Sequence, residues 1–250
     1  MRYFVEFSYL GKDYHGWQNQ PNAITVQEVL EKAFSTLLRM PVALTGAGRT
    51  DAGVHAKQMF AHFNVDEIQD LEQLVYRLNS LLPEAIAVHD VFLVNSDAHA
   101  RFDAEERTYE YWVLQYKNPF LGDFAHYIKH TLNVEAMNEA ARLLLQYNDF
   151  ECFSKTHTDV KTYLCDVKKA VWELKEDKLV FTITADRFLR NMVRAVVGTL
   201  LDVGTGKIKV DDVKSIINSK NRSNAGPSVP AKGLYLTSVL YPKKSIEKHG

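Results

Sequence analysis

The chain has 250 residues, of which 46% are hydrophobic and 24% are charged, a globular composition that excludes a largely disordered protein. Thirty Lys and Arg residues stand against 31 Asp and Glu residues, so a nucleic-acid surface would have to be a local basic patch. Glu6 interrupts the apolar start, no stretch approaches the ~20 apolar residues of a membrane helix, and two cysteines make no disulfide framework, so we expect a cytoplasmic protein without a membrane segment.

The first half of the chain predicts the element order β-α-β-β-α-β. Alternation of apolar residues over Tyr3–Tyr9 indicates a strand, and Thr25–Glu28 has the pattern of a capping box at the start of a helix. The elements that follow are a strand at 42–45, a Gly-rich turn at 46–53, a strand at 59–65, a helix at 71–82 and a strand at 85–94. This order is typical of a ferredoxin-like unit, in which helices back a sheet.

The second half has a similar character. We predict a strand at 108–115, a helix at 134–147 capped by Asn133, a hairpin of 166–175 with 179–185, helices at 189–201 and 210–219, and a strand at 234–240. The predicted fold class is therefore α+β: two ferredoxin-like or RRM-like halves with largely antiparallel sheets, joined across a central cleft. The expected domains are 1–104 and 105–241, followed by a flexible tail at 242–250.

The segment from Gly46 to Ala56 is the strongest candidate for chemistry. It lies between two predicted strands, where a rigid sheet commonly holds catalytic groups, and its glycines allow close approach to a ligand. Arg49 and Asp51 are the charged residues in it. The alternative is an ordinary turn, in which Asp51 only bonds its own backbone.

Two other patterns admit both a functional and a structural interpretation. Arg187, Arg190 and Arg194 are spaced by three and four residues, which predicts one basic helix face, either a ligand surface or a solvated one. Tyr109 lies on a strand face with Tyr111 and Val113, and aromatic residues on strands usually belong to the core.

Five blocks, in order along the chain, resemble the TruA-type tRNA pseudouridine synthases. The blocks are Gly16–Pro21 with Thr25–Glu28, Gly48–His55, Ala100–Phe102 with Arg107–Tyr111, Phe188–Gly206, and Ala225–Leu236. They cover nearly the whole chain, and a set of five in order is specific. A small departure occurs at Asn221-Arg222, where the family more often has an acid before the Arg, which puts one local contact in doubt.

The resemblance implies a role for each candidate residue. Asp51 matches the catalytic carboxylate, Arg194 the cation that pairs with it, and Tyr109 the ring that stacks on the target uracil. Arg49 either fills the space left by the extruded uridine or makes a structural backbone contact. We also carry Arg101, Arg187 and Arg190 as candidate RNA contacts, since a guanidinium suits phosphate.

The implied activity is isomerisation of uridine to pseudouridine at positions 38, 39 and 40 of the tRNA anticodon arm, by a homodimer. The reaction oxidises nothing and loses no group, so no redox cofactor or ATP is required. A carboxylate could attack C1′ to give a covalent intermediate or remove the 2′ proton to give a glycal, and the sequence leaves both routes open. We predict no metal, because His126 and His130 lack a second ligand pair.

Two rival functions stay open on the sequence. One is a catalytically silent RNA-binding protein on the same scaffold, against which the intact Asp51 and Arg194 argue. The other is a nucleoside hydrolase that acts without tRNA.

Overall fold

The computed structural model describes residues 1–155 and 160–245, and the described chain is α+β with a largely antiparallel arrangement of strands. Its strands are β1 (Arg2–Tyr9), β2 (Thr45–Gly46), β3 (His55–Asn64), β4 (Ile86–Val94), β5 (Glu106–Leu114), β6 (His126–Tyr127), β7 (Val167–Lys175), β8 (Lys178–Ala185) and β9 (Leu234–Leu240). Its helices are α1 (Val26–Leu38), α2 (Leu71–Leu81), α3 (Val134–Leu143), α4 (Met192–Gly204) and α5 (Val210–Ser219). The predicted fold class is thus confirmed at the level of α+β.

The chain divides into two compact units, which we call the first unit (Met1–Glu106 with the segment from Tyr235 onward) and the second unit (Arg107–Leu234). In sequence, the predicted boundary lies at 104/105 and the final strand goes with the second half. In the structure β9 groups with the first unit, because it pairs in parallel with β3 and the Val239 N–H donates to the side chain of Gln58. Of the predicted tail, residues 246–250 lie outside the described residues.

The first unit is built on the strand order β4-β1-β3-β9, with β2 paired to β3. One face of β1 is linked to α1 by aromatic contacts: Tyr3 stacks on Phe63, which in turn contacts Phe34 of α1 at a ring distance of 4.8 Å. Thr25 caps α1, since its side chain accepts the Glu28 N–H. The predicted alternation therefore specifies which face of β1 meets the helix layer.

The opposite face of β1 is also covered. Phe4 packs against His62, Phe92 and Tyr241, and the Tyr241 hydroxyl donates to the carbonyl of Ala100. The segment before β5 therefore closes over this face of the sheet and buries His62 within it.

The second unit has the strand order β5-β8-β7, with β6 added in parallel to β5. β7 and β8 form the predicted hairpin, and Glu176 in its turn has a φ of 55°. Helix α4 is almost completely buried and packs against α3, which also contacts β7 and α5. A helix that is apolar on nearly all sides is the expected centre of such a layer.

In each unit a helix asparagine bonds the backbone of one strand, β4 in the first unit and β7 in the second. The Asn79 side chain of α2 donates to the Val88 carbonyl at 2.7 Å and accepts the Val88 N–H at 2.8 Å. The Asn138 side chain of α3 makes the same two bonds to Trp172. An amide side chain can satisfy one backbone donor and one acceptor together, so it continues the ladder where strand pairing stops.

Acid should destabilise the protein partly through His62. The side chain of His62 is 6% exposed and accepts the Ala100 N–H at 3.2 Å. Burial, then the neighbouring His99 and Arg2, lower the pKa of His62 to about 4, against an opposing effect of Asp103. In the unfolded chain the pKa of a histidine is ~6.5, so the unfolded state binds the proton first as the pH falls. The contribution of His62 to the free energy of unfolding is therefore complete above pH ~6.5 and is lost as the pH falls towards 4.

We predict that His62→Asn, which keeps an acceptor but cannot titrate, flattens the fall of unfolding free energy between pH 6.5 and 4. At about 1.4 kcal/mol per pH unit, the pH-dependent loss that disappears is about 2–3 kcal/mol. The measurement is urea unfolding at a series of pH values. His130→Asn, at an exposed site, is the control, and an unchanged slope in His62→Asn would contradict the prediction.

Candidate active site

Asp51 lies in the loop that joins β2 to β3, in the first unit. Pairing of β2 with β3 continues into the loop, because the Ala47 N–H donates to the Phe60 carbonyl at 2.8 Å. Beyond that point the chain leaves the sheet and exposes Arg49, while Asp51 is half-buried. The loop therefore begins from fixed sheet geometry and presents its two charged side chains close together in sequence.

The segment between β1 and α1 holds the residues on both sides of Asp51. The Thr50 hydroxyl hydrogen-bonds the Tyr9 hydroxyl at 2.8 Å, and the Thr50 carbonyl accepts the Trp17 N–H at 3.3 Å. On the other side, the Gly53 N–H donates to the Tyr14 carbonyl at 3.2 Å. The segment from Tyr9 to Trp17 and the Asp51 loop are therefore hydrogen-bonded to each other. These bonds fix the backbone on both sides of Asp51, although the loop is neither helix nor strand.

Gly16 permits that contact. Its φ is +87°, and a Cβ on it would collide with the carbonyl oxygen of Thr50. A residue with a side chain there would be strained by its backbone conformation and would also push the Asp51 loop away.

His55 is a structural residue in the geometry of the first unit. It is buried, its Nδ1 accepts the Gly11 N–H at 3.0 Å, and its ring stacks on Tyr235 at 4.6 Å. These contacts tie the start of β3 to the turn after β1 and to β9. Because its ring is engaged in this bonding, we interpret His55 as a satisfied structural histidine and not as a base.

Tyr109 occupies the part of β5 where its buried face becomes accessible. Tyr111 and Val113 on the same face are fully buried, whereas Tyr109 is half-buried. Its ring makes a perpendicular contact with the ring of Phe188, with the centroids 5.2 Å apart and the planes at 90°. Such a contact restrains the orientation of the Tyr109 ring.

Arg194 lies on the first turn of α4 and is clasped by the chain at Val229. Its Nε donates to the Val229 carbonyl at 2.7 Å, and the Val229 N–H donates to the Arg194 carbonyl at 3.2 Å. The side chain and the backbone of Arg194 are thus both bonded to the backbone of Val229, which gives the guanidinium a defined direction. The positive charge of Arg194 also acts on Tyr111. Burial raises the pKa of the Tyr111 hydroxyl, and Arg194 offsets part of that rise.

The segment that clasps Arg194 is itself anchored by Arg222 and Asn191. The Arg222 guanidinium donates to the carbonyls of Ala225 and Gly226 and to the hydroxyl of Ser228, which also accepts from the Asn191 side chain at 2.6 Å. The sequence patterns do not single out Asn191 or Ser228. The only sequence signal is that the surrounding blocks belong to the family pattern.

One sequence expectation about the arginines is wrong. Arg187 and Arg190 do not share a helix face with Arg194, because α4 begins at Met192 and both residues precede it. Asn191 has a φ of 66°, and this left-handed conformation breaks the helical repeat. Arg187 is half-buried and Arg190 is exposed.

The remaining candidate groups are also located. Arg101 is exposed in the first unit, where its guanidinium lies over the ring of Phe102. Burial raises the pKa of both Cys152 and Cys165 to about 12, so these thiols stay protonated and are not nucleophiles at neutral pH. Within residues 1–155 and 160–245, no three His, Cys, Asp or Glu side chains cluster as a metal site, and no helix is long and apolar enough to cross a membrane.

The chain is similar in sequence to known proteins over nearly its whole length. A family described as tRNA pseudouridine synthase matches residues 7–103 and 140–242. The chain is 52% identical over 244 residues to the tRNA pseudouridine synthase A of Parabacteroides distasonis, covering 97% of each chain. It is 51% identical to that of Bacteroides fragilis, covering 98% of each, and 41% identical to that of a Thermoanaerobacter species, covering 95% of this chain and 98% of the other.

We predict that Gly16→Ala destabilises the first unit, because the new Cβ meets the Thr50 carbonyl and the φ is unfavourable. The expected loss of unfolding free energy is about 2–4 kcal/mol, measured by urea unfolding. Gly48→Ala is a matched control in the same loop, since a Cβ there has no neighbour within 4 Å. Equal stability of the two variants would show that the contact of Gly16 with Thr50 does not constrain the loop.

Proposed function

The chain belongs to the tRNA pseudouridine synthase family, and we propose that it isomerises uridine to pseudouridine at positions 38, 39 and 40 of the tRNA anticodon stem-loop, with Asp51 as the catalytic carboxylate. The observation that carries the proposal is the fixed backbone on both sides of Asp51, in a loop that the family match includes. A catalytic carboxylate needs a defined position, and the hydrogen bonds on both sides of Asp51 define the position of its backbone.

The chemistry requires one acid and no external reagent. The N1–C1′ bond breaks, the uracil turns, and a C5–C1′ bond forms, while the proton on C5 is lost and N1 gains one. The Asp51 carboxylate either bonds to C1′ and is released when C5 attacks, or takes the 2′ proton and later returns it. In both routes the enzyme ends as it began, as an isomerase must.

Arg194 and Tyr109 are assigned roles from the family pattern, and their surroundings support these roles. The family pattern pairs Arg194 with the catalytic carboxylate, and the direction of the Arg194 side chain is fixed by its bond to the Val229 carbonyl. Tyr109 offers a half-buried ring for stacking on uracil. Arg49, exposed next to Thr50, occupies the vacated position in the RNA stack once the uridine is extruded.

The wider assembly in this proposal is a homodimer in the cytoplasm, built from ferredoxin-like units, that holds tRNA in a cleft lined by basic residues. A net charge of −1 is compatible with RNA binding when basic side chains are concentrated locally. Arg187, Arg190 and Arg101 are the residues proposed to meet the RNA backbone. The two buried, free thiols fit a reducing compartment.

The first test is release of tritium from tRNA labelled at C5 of uridine. We predict that Asp51→Asn, which keeps the shape of the side chain but removes its charge, lowers release by about four orders of magnitude or more while tRNA binding changes less than about threefold. Asp97→Asn, at an exposed turn, is the control.

Other outcomes of this test identify the rival functions. Equal release by wild type and Asp51→Asn would refute the role of Asp51. Binding of tRNA without release by the wild type would favour the silent RNA-binding protein. Cleavage of free uridine to uracil without tRNA would favour the hydrolase.

A second prediction tests whether the Tyr109 hydroxyl helps to move the C5 proton, in addition to the stacking of the Tyr109 ring on uracil. Tyr109→Phe keeps the stacking ring and removes the hydroxyl, so tRNA binding should be retained while single-turnover release of tritium slows by about 10²–10⁴-fold, the usual contribution of a positioned proton-transfer group. Tyr127→Phe, at an exposed site of the second unit, is the control. Unchanged turnover in Tyr109→Phe would exclude the hydroxyl from proton transfer.

A further inference from the structure

Tyr111 is a buried tyrosine whose hydroxyl group has no part in the chemistry proposed above. It lies on β5 two residues after Tyr109, on the same face of the strand, and is 0% exposed. Burial raises the pKa of this hydroxyl, so the group stays protonated at neutral pH and acts as a donor. A buried tyrosine hydroxyl requires an acceptor, and here the acceptor belongs to the segment that clasps Arg194.

The acceptor is the backbone carbonyl of Pro230, to which the Tyr111 hydroxyl donates at 2.9 Å. Pro230 directly follows Val229, whose carbonyl accepts the Nε–H of Arg194 and whose N–H donates to the Arg194 carbonyl. A hydrogen bond from β5 therefore fixes the residue next to the one that clasps Arg194.

The proline ring carries the effect of that bond to the neighbouring carbonyl. Each peptide unit is planar, so the carbonyls of Val229 and Pro230 are related only by the two backbone dihedral angles of Pro230. The ring locks the first of these angles, φ, which is −54° here. Only ψ, at 138°, is left to vary, so a bond that fixes the Pro230 carbonyl also restricts the direction of the Val229 carbonyl.

The ring of Tyr111 packs against the turn that follows Pro230. A Cβ on Gly233 would lie 2.9 Å from Cζ of Tyr111 and 3.0 Å from the Trp112 carbonyl oxygen, so any side chain there would push the turn away from the ring. The hydroxyl bond and the ring contact together hold this turn against β5.

The segment that clasps Arg194 is thus anchored on both sides of Val229. Before Val229, Arg222 bonds the backbone of the segment, and after it Tyr111 does so. Because Tyr109 lies on the same strand as Tyr111, β5 carries both the ring assigned to uracil and the donor that anchors the clasp of Arg194. Two groups assigned to one reaction therefore share a single rigid reference.

We propose that Tyr111 is a positioning residue for the isomerisation: through Pro230 it holds the Val229 carbonyl, and through that carbonyl it holds the guanidinium of Arg194 in the orientation that the reaction uses. The proposal rests on the proposed function, which assigns Arg194 to the site. Tyr111 itself contacts no substrate in this arrangement, and its hydroxyl transfers no proton. Removal of the hydroxyl should therefore slow the reaction without weakening the binding of tRNA.

The experiment measures the Kd for tRNA and the single-turnover release of tritium separately for the full-length chain. Tyr111→Phe keeps the ring and removes only the hydroxyl. It should lower the rate at saturating tRNA about 10- to 100-fold, since a misplacement of ~1 Å can slow a reaction by about 10²-fold. The Kd should change less than about twofold.

Tyr3→Phe is the matched control. Tyr3 is also buried on a strand, and its hydroxyl also bonds the backbone, because it accepts the Ile68 N–H at 3.1 Å. Tyr3→Phe should therefore lose a comparable hydrogen bond and keep the wild-type rate.

A double-mutant cycle with Arg194 identifies the route by which Tyr111 acts. Arg194→Lys keeps the charge but lacks the Nε–H that the Val229 carbonyl accepts, so it should itself slow tritium release. Adding Tyr111→Phe to Arg194→Lys should then lower the rate less than about threefold further. A tyrosine that only stabilises the fold would instead give independent losses that multiply.

Thermal unfolding defines a temperature at which every variant is folded, and the rates are compared there. Gly233→Ala disturbs the same contact from the side of the turn, because its Cβ meets the Tyr111 ring. It should show the same signature as Tyr111→Phe, a lower rate with the Kd retained, and it keeps the proposal testable if Tyr111→Phe does not fold.

Two outcomes would overturn the proposal. The first is a wild-type rate for Tyr111→Phe, or for Gly233→Ala if only that variant folds, while Arg194→Lys is impaired. The second is a loss from Tyr111→Phe that is equally large in the wild-type and in the Arg194→Lys background. A wild-type rate for Arg194→Lys would contradict the role of Arg194 and the proposal with it. Wild-type protein that releases no tritium from tRNA would instead contradict the proposed function.

Discussion

The hydrogen bonds to Thr50 and Gly53 are the constraint on which the proposed chemistry depends. A loop that carries a catalytic carboxylate needs room for a ligand, so it cannot be packed like a strand, yet the carboxylate must not wander. The first unit meets both needs by bonding the residues next to Asp51 to Tyr9, Tyr14 and Trp17. The side chains of Arg49 and Asp51 are then directed by a backbone that is fixed from outside the loop, and Gly16 is required because the two segments approach so closely.

The second unit uses the same device on a helix. Arg194 is fixed by a backbone segment that lies across α4, and that segment is in turn held by Arg222, Asn191 and the close approach of Gly198 to Pro227. In both units the charged residue of the proposed site, Asp51 or Arg194, lies close in sequence to a strand or helix. A separate segment of the chain hydrogen-bonds to it or to its neighbours and restrains its position. Preorganisation of this kind reduces the reorganisation needed when charge develops during the reaction.

Much of the regular structure follows from local sequence. The alternation in β1, the hairpin of β7 and β8, and the periodic helices α2 and α5 lie where the patterns predict them, because side-chain periods of 2 and 3.6 must match the burial of one face. The prediction was wrong at the start of α4, where apolar residues keep helical spacing from Leu189 but Asn191 adopts a left-handed conformation. That conformation is stabilised by a side-chain bond to Ser228, 37 residues away, which a local pattern cannot contain.

The sequence by itself determined the α+β class, most helices and strands, the family, and the candidates Asp51, Tyr109 and Arg194, because these depend on residue type and short-range spacing. Only the tertiary structure decided that the 9–17 segment holds the Asp51 loop, that β9 belongs with the first unit, and that His62 is buried and accepts the Ala100 N–H. Those features depend on contacts between residues far apart in the chain. Such contacts are set by the packing of whole elements, and no periodicity or motif within one segment specifies them.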